Sequence, residues 1–226
     1  MKGISCTRAM LVMAALLAAA GATAATKAER EESMSADGLL KTKAKGIDLV
    51  YARPGASLAS YSSVKLEPVK VAFRKDFDPK KPGSQMRLSA SELEKIRSDV
   101  GRIVSDAFTK ELAKGSYPTV VASGPEVLLV QVDIVDLYVN APDTMSAGRS
   151  RSYTMSAGEM TLVMELADSA TGQVLARVYD RREARDVGQL TWTNSVTNQA
   201  EAANVASSWA RILRARLDAA RGIGGK

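Results

Sequence analysis

Two aspartates, Asp133 and Asp136, offer the first pattern with chemical potential, because paired carboxylates can share general acid and base roles. They lie in Glu126–Val139 (EVLLVQVDIVDLYV), which reads as a long strand. Side chains on a strand alternate faces, so two residues three apart point in opposite directions and cannot converge on one substrate atom. Ser62-Ser63-Val64-Lys65 spells S-x-x-K, a nucleophile motif that works at a helix start, where the lysine lies one turn after the serine. Here it runs into an extended segment, and the companion S-D-N and K-T-G motifs are absent from the sequence. A third set is basic: Arg149, Arg151, Arg181, Arg182 and Arg185. If the loop Asn140–Gly158 sits beside the strand ending near Asp180, these arginines gather at one rim, with Trp192 as an exposed aromatic anchor. Guanidinium forks suit carboxylate and phosphate, so an anionic polymer or an acidic protein face is the matching partner. The competing reading is a solvated rim paired with Glu183 and Asp186. Tyr153 and Trp209 add aromatic surface, but Trp209 falls within a helical apolar stripe and reads as core.

The sequence has no histidine and one cysteine, Cys6, which removes the commonest general base and metal ligand. No dinucleotide, P-loop, EF-hand or zinc pattern occurs. The expectation is therefore no catalytic residue, no cofactor and no metal site. Lys2 and Arg8 precede an apolar run, Ala9–Ala20, and then Ala22-Thr23-Ala24, which is the order of a secretory signal peptide. Cys6 lies before the apolar run, where lipoprotein acylation does not occur, and cleavage after Ala24 discards it. The mature chain then has no disulfide and no thiol nucleophile. The whole chain carries 31 Lys and Arg against 25 Asp and Glu, a net charge of +6. Losing Lys2 and Arg8 lowers the surplus to four, which is no nucleic-acid footprint. No other stretch reaches membrane-spanning length.

The elements that must position these residues follow from periodicity. Residues 25–47 read as a flexible leader in which Asp37-Gly38-Leu39-Leu40 offers a local docking point. Asp48–Tyr61 (DLVYARPGASLASY) combines an extended piece with a Pro54-Gly55 turn. Val64–Phe73 reads as a strand whose apolar parity shifts around Pro68, a bulge or bend. Ser89 and Glu92 form a capping box for a helix at Ala90–Lys114, with apolar residues from Leu93 to Leu112 at spacings of three and four. Gly115 is a natural residue just past its end. Short strands at Thr119–Ala122, Thr161–Ala167 and Gln173–Asp180 accompany the long one, the last two joined by the turn Asp168–Gly172. Asn140–Gly158, with Thr-Met-Ser-Ala-Gly at 144–148 and 154–158, reads as a loop tip or frayed strand pair. Asn198 with Glu201 opens a second helix that runs to about Arg221.

Consecutive strands joined by short turns favour antiparallel pairing. The expected fold is α+β: one twisted, mainly antiparallel sheet of about five strands with two long helices packed on one face, spanning residues 48–222, with 223–226 a frayed tail. Asp48–Leu58 with Tyr61, Asp168–Leu175 (DSATGQVL), Tyr179-Asp180-Arg181-Arg182 and the helix around Trp209 resemble the bacterial envelope family known as domain of unknown function 3313. The resemblance covers about Asp37 to Arg221 and implies an exported helix-and-sheet domain with no assigned reaction and no catalytic residues. Members often look like lipoproteins; this sequence departs there, lacking a cysteine at its cleavage site. The reading is a periplasmic or secreted non-enzyme that binds another envelope protein or an anionic envelope polymer, and no nucleic acid. The alternative is a periplasmic hydrolase using carboxylate or serine chemistry.

Overall fold

The computed structural model describes residues 31–32, 34–77, 88–140, 156–183 and 195–223. Helix α1, Ala90–Lys114, starts as its capping box requires: the Glu92 amide donates to Ser89 Oγ and the Ser89 amide donates to Glu92 Oε2 at 2.7 Å. Its stripe from Ile96 to Leu112 is buried. Gly115 ends it at φ −95°, so the left-handed turn falls on Ser116 at φ 60° instead. Gly115 has another use: a Cβ there would come within 2.8 Å of both Arg214 and Tyr117. The second helix, α2, spans Ser195–Ala220, beginning three residues earlier than expected. Tyr117, just past α1, donates to Asp218 at 3.0 Å, so the C-terminal ends of the two helices meet and they run in the same direction.

The strands are β1 (Leu40–Thr42), β2 (Leu49–Ala52), β3 (Ser63–Leu66), β4 (Lys70–Phe73), β5 (Val127–Asn140), β6 (Ser156–Asp168) and β7 (Val174–Glu183). They form one sheet in the order β1-β2-β7-β6-β5-β3, with β4 continuing the β3 edge beside β5. The expectation of about five mainly antiparallel strands is corrected to a mixed sheet of seven among the described residues. β3 and β4 pair with β5 in parallel, while β5-β6-β7-β2-β1 are antiparallel neighbours. The physical reason is the connection. Short turns reverse a chain, but α1 lies between β4 and β5, and a helical crossover returns the chain in the same direction. Thr119–Ala122 supplies only a bridge, Thr119 to Val64. β6 begins earlier than expected, at Ser156.

The parity change at Pro68 is real. Leu66 pairs with Val130 and Lys70 with Asp133, so the edge advances four residues while β5 advances three. β5 restores the count near Asp136, which takes φ 54° where the register shifts. Val64, Leu128, Val130, Val132, Ile134, Leu162, Met164 and Leu166 thereby all face the helices in one core with Phe108 and Trp209. The opposite face holds a smaller cluster of Met34, Leu39, Tyr51 and Tyr179. Part of the segment read as a leader thus seals the second face, and Leu40–Thr42 adds the terminal strand.

Candidate functional site

Three of the segments that carried the sequence resemblance, those with Asp48, Tyr179–Arg182 and Trp209, converge on a buried carboxylate. Asp180, on β7, is 1% exposed and faces α2. Its Oδ2 accepts from Trp209 Nε1 at 2.7 Å and Arg182 Nε at 2.6 Å, and its Oδ1 from the Asp48 amide at 3.0 Å. Asp48 answers by accepting from the Arg181 amide at 2.9 Å, and Arg182 also donates to the Gly46 carbonyl at 2.6 Å. A buried charge is tolerated only when its lone pairs are filled. Here they are filled by Arg182, two residues along the same strand, and by two distant parts of the chain, Asp48 and Trp209, which fastens the entry to β2 and helix α2 to β7. At the other end of the sheet Asp168 caps the β6–β7 turn, accepting from the Thr171 amide and hydroxyl, the Ala170 amide and Tyr61. Those bonds, the Thr171 amide foremost, hold its carboxyl below the usual range, while burial and then Asp168 push the Tyr61 hydroxyl up to about 12. Arg53, in the same opening motif, donates to the Val174 carbonyl at 2.7 Å.

A second constellation lies on the face away from the helices, near the β5–β6 junction. Glu159, 8% exposed, receives Arg74 Nη1 at 3.1 Å on Oε2 and Arg181 Nε at 2.7 Å on Oε1. The Arg74 guanidinium lies 4.2 Å from the Tyr138 ring centre and also pairs with Asp76. At the sheet edge Phe77 meets Tyr138 edge-on at 6.1 Å and stacks at 4.8 Å on Phe73, which itself packs on the helix side against the main core and Arg97 of α1. Arginine and aromatic residues in this density are what protein interfaces concentrate. Nothing local in the sequence announces the group, since Arg74 and Glu159 are 85 residues apart and meet across β5, which pairs with the Arg74 edge in parallel and with β6 antiparallel.

Arg181 and Arg182 therefore point to opposite faces, Arg181 to Glu159 and Arg182 to Asp180. Arg149, Arg151, Arg185 and Trp192 lie outside the described residues, as does the 1–24 segment read as a signal peptide. Trp209 is 1% exposed, as its place in the stripe implied. Ser62 Oγ donates to Glu126 Oε2 at 2.9 Å, and Lys65 reaches Glu67 and Ser123, so the S-x-x-K residues have separate partners on a strand. Asp133 lies before the register shift in β5 and Asp136 lies at it. Among the described residues no group of three or more His, Cys, Asp and Glu side chains is placed to hold a metal ion, and no helix is long and apolar enough to cross a membrane.

The family model for "Protein of unknown function (DUF3313)" matches residues 29–213, which takes in β1 to most of α2 and both ends of the Asp180 clamp. The chain belongs to the DUF3313 family. No curated protein matches it. Among solved structures this DUF3313 chain is similar to a PelC dodecamer from Paraburkholderia phytofirmans, at 13% identity and a TM-score of 0.35, over 70% of this chain and 94% of that one. It is also similar to a minor lipoprotein from Acinetobacter baumannii, at 11% identity and a TM-score of 0.33, over 69% and 94% of the two chains. A DUF4136 family protein from Bacteroides thetaiotaomicron matches at 14% identity and a TM-score of 0.35, over 78% and 98%.

Proposed function

We propose that this DUF3313 chain is an exported envelope domain, non-enzymatic, that binds another envelope protein or an anionic envelope polymer. The signal-peptide pattern at residues 1–24 supports export. The observation that carries the binding role is the Arg74–Glu159–Arg181 group with Tyr138 on the outer sheet face. It stands where the chain leaves β5 and β7 for the segments that hold Arg149, Arg151, Arg185 and Trp192. Among the described residues the Asp168 and Glu111 carboxyls are held below the usual range, by hydrogen bonds from Thr171 and from Lys114 respectively.

Two measurements test it. Fractionation with N-terminal sequencing should recover a chain beginning at Ala25 outside the cytoplasm, and an intact cytosolic chain would overturn export. In-cell photocrosslinking should capture a partner that the triple charge reversal Arg149→Glu, Arg151→Glu, Arg181→Glu abolishes without altering the circular dichroism. Unchanged capture would remove the arginine rim from the mechanism. Arg182 is left intact because its loss would unlock Asp180.

A further inference from the structure

The segment before β2 is a second candidate for interaction, built differently from the arginine group. Met34 and Leu39 are buried against Tyr51 and Tyr179, with Leu49, Val163 and Val174 at the margin. None of the four buried residues belongs to the main core beneath the helices. Arg177 clasps the segment: Nη2 meets Asp37 Oδ2 at 2.6 Å, Nη1 donates to the Ala36 carbonyl at 3.1 Å, and Nε is anchored on Glu165 at 2.8 Å. β1 then adds three residues to the outer edge of β2, pairing Leu40 with Ala52, Lys41 with Tyr51 and Thr42 with Val50.

Three features make this segment easy to detach and costly to leave detached. Its ladder is three residues long and exposed throughout. Asp37 adopts φ 62°, a left-handed conformation that only Asn, Asp and Gly visit readily, and the Arg177 clasp that holds it is itself half exposed at Asp37. The hinge is short, because Gly46 and Asp48 are already fixed to β7 by Arg182 and Asp180, leaving residues 43–45 to bend. Short constrained hinges favour exchange of a terminal element between copies, since the same contacts re-form in the partner at no loss. An empty seat would expose Tyr51 and Tyr179 and the unpaired edge of β2, so some leader must fill it.

We infer that the seat formed by Tyr51, Tyr179, Val163 and the β2 edge is an interaction surface for a second copy of this chain, which fills it with its own Met34–Thr42 segment. The partner segment is the one whose complementarity is already displayed within the chain. This surface is separate from the arginine group and stands or falls without it.

Chains beginning at Ala25 lack Cys6, so engineered thiols are unambiguous. One copy carries Leu40→Cys and another Ala52→Cys, positions directly opposed across β1 and β2 at a spacing that suits a disulfide. The two are mixed and oxidised with copper–phenanthroline. Exchange predicts a Leu40→Cys/Ala52→Cys heterodimer several-fold above a collision control pairing Leu40→Cys with Thr171→Cys, rising with protein concentration. Arg177→Gln should speed its appearance several-fold. A yield no higher than the control at every concentration would overturn the exchange, as would failure of the Leu40→Cys/Ala52→Cys double variant to close its internal bridge.

Discussion

Asp180 shows how much a single buried oxygen can be asked to hold. Trp209→Phe removes one donor to a charged acceptor and should cost about 1.5–3 kcal/mol in urea unfolding. Asp180→Ala leaves the buried Trp209 indole N–H without an acceptor and releases the Asp48 amide and Arg182, both of which can reach water, and should cost about 2–4 kcal/mol. If the two substitutions cost the same, the clamp is not a network. Asp168 behaves differently, because its role depends on pH. Its folded pKa is depressed, so its contribution is present above the unfolded value near 4 and is lost as the pH falls through the lower folded value. Asp168→Asn should flatten the acid limb of the stability profile. Tyr61 acts at the opposite limb: its folded pKa is raised to about 12, so its contribution is complete below the unfolded value near 10 and fades as the pH rises through about 12. Tyr61→Phe should remove that alkaline decline, read as the urea midpoint between pH 9 and about 12.

At the scale of elements, the junction after α1 separates two uses of small residues. Gly115→Ala inserts a methyl 2.8 Å from Tyr117, which is fully buried, and from Arg214; overpacking there should destabilise by about 1–3 kcal/mol. Ser116→Gly should do the reverse, relieving a left-handed serine at φ 60° for a gain of up to about 1 kcal/mol by thermal melting. A loss at Ser116→Gly would mean that the serine side chain, and not the backbone angle, matters. The helix itself was legible because its signals are local: Ser89 and Glu92 three apart, and a stripe from Leu93 to Leu112. So was the bulge at Pro68, which the change of parity from Leu66 to Val69 records directly. The parallel pairing was not, since it depends on where α1 delivers the chain and not on any residue of β3 or β5. One relation within the arginine set was readable from the same local rule. Adjacent residues on a strand take opposite faces, and that rule, applied to the aspartates, also separates Arg181 from Arg182.

At the scale of the molecule, the sheet carries two apolar layers of very different size. The larger lies under α1 and α2 and draws on β3 to β7; the smaller is closed by Met34 and Leu39. The leader's docking was only faintly visible in the sequence, because two apolar residues in a charged stretch acquire meaning only from Tyr51 and Tyr179, which arrive from β2 and β7. The asymmetry sets how the chain should come apart. Phe108, fully buried in the main layer, touches what holds every strand from β3 onward to the helices, so Phe108→Ala should lower global stability by about 3–5 kcal/mol. Leu39→Ala removes a side chain as deeply buried, yet the layer it closes can open while the main one stays shut. Native-state hydrogen exchange distinguishes the two. Leu39→Ala should accelerate exchange at Lys41 to Thr42 and along β2 and leave the protected amides of β5 and β6 nearly unchanged, whereas Phe108→Ala should accelerate all of them together. Equal acceleration everywhere in the Leu39 variant would mean that both layers unfold as one unit, and that the leader is fastened to the fold more firmly than its short ladder and exposed clasp allow.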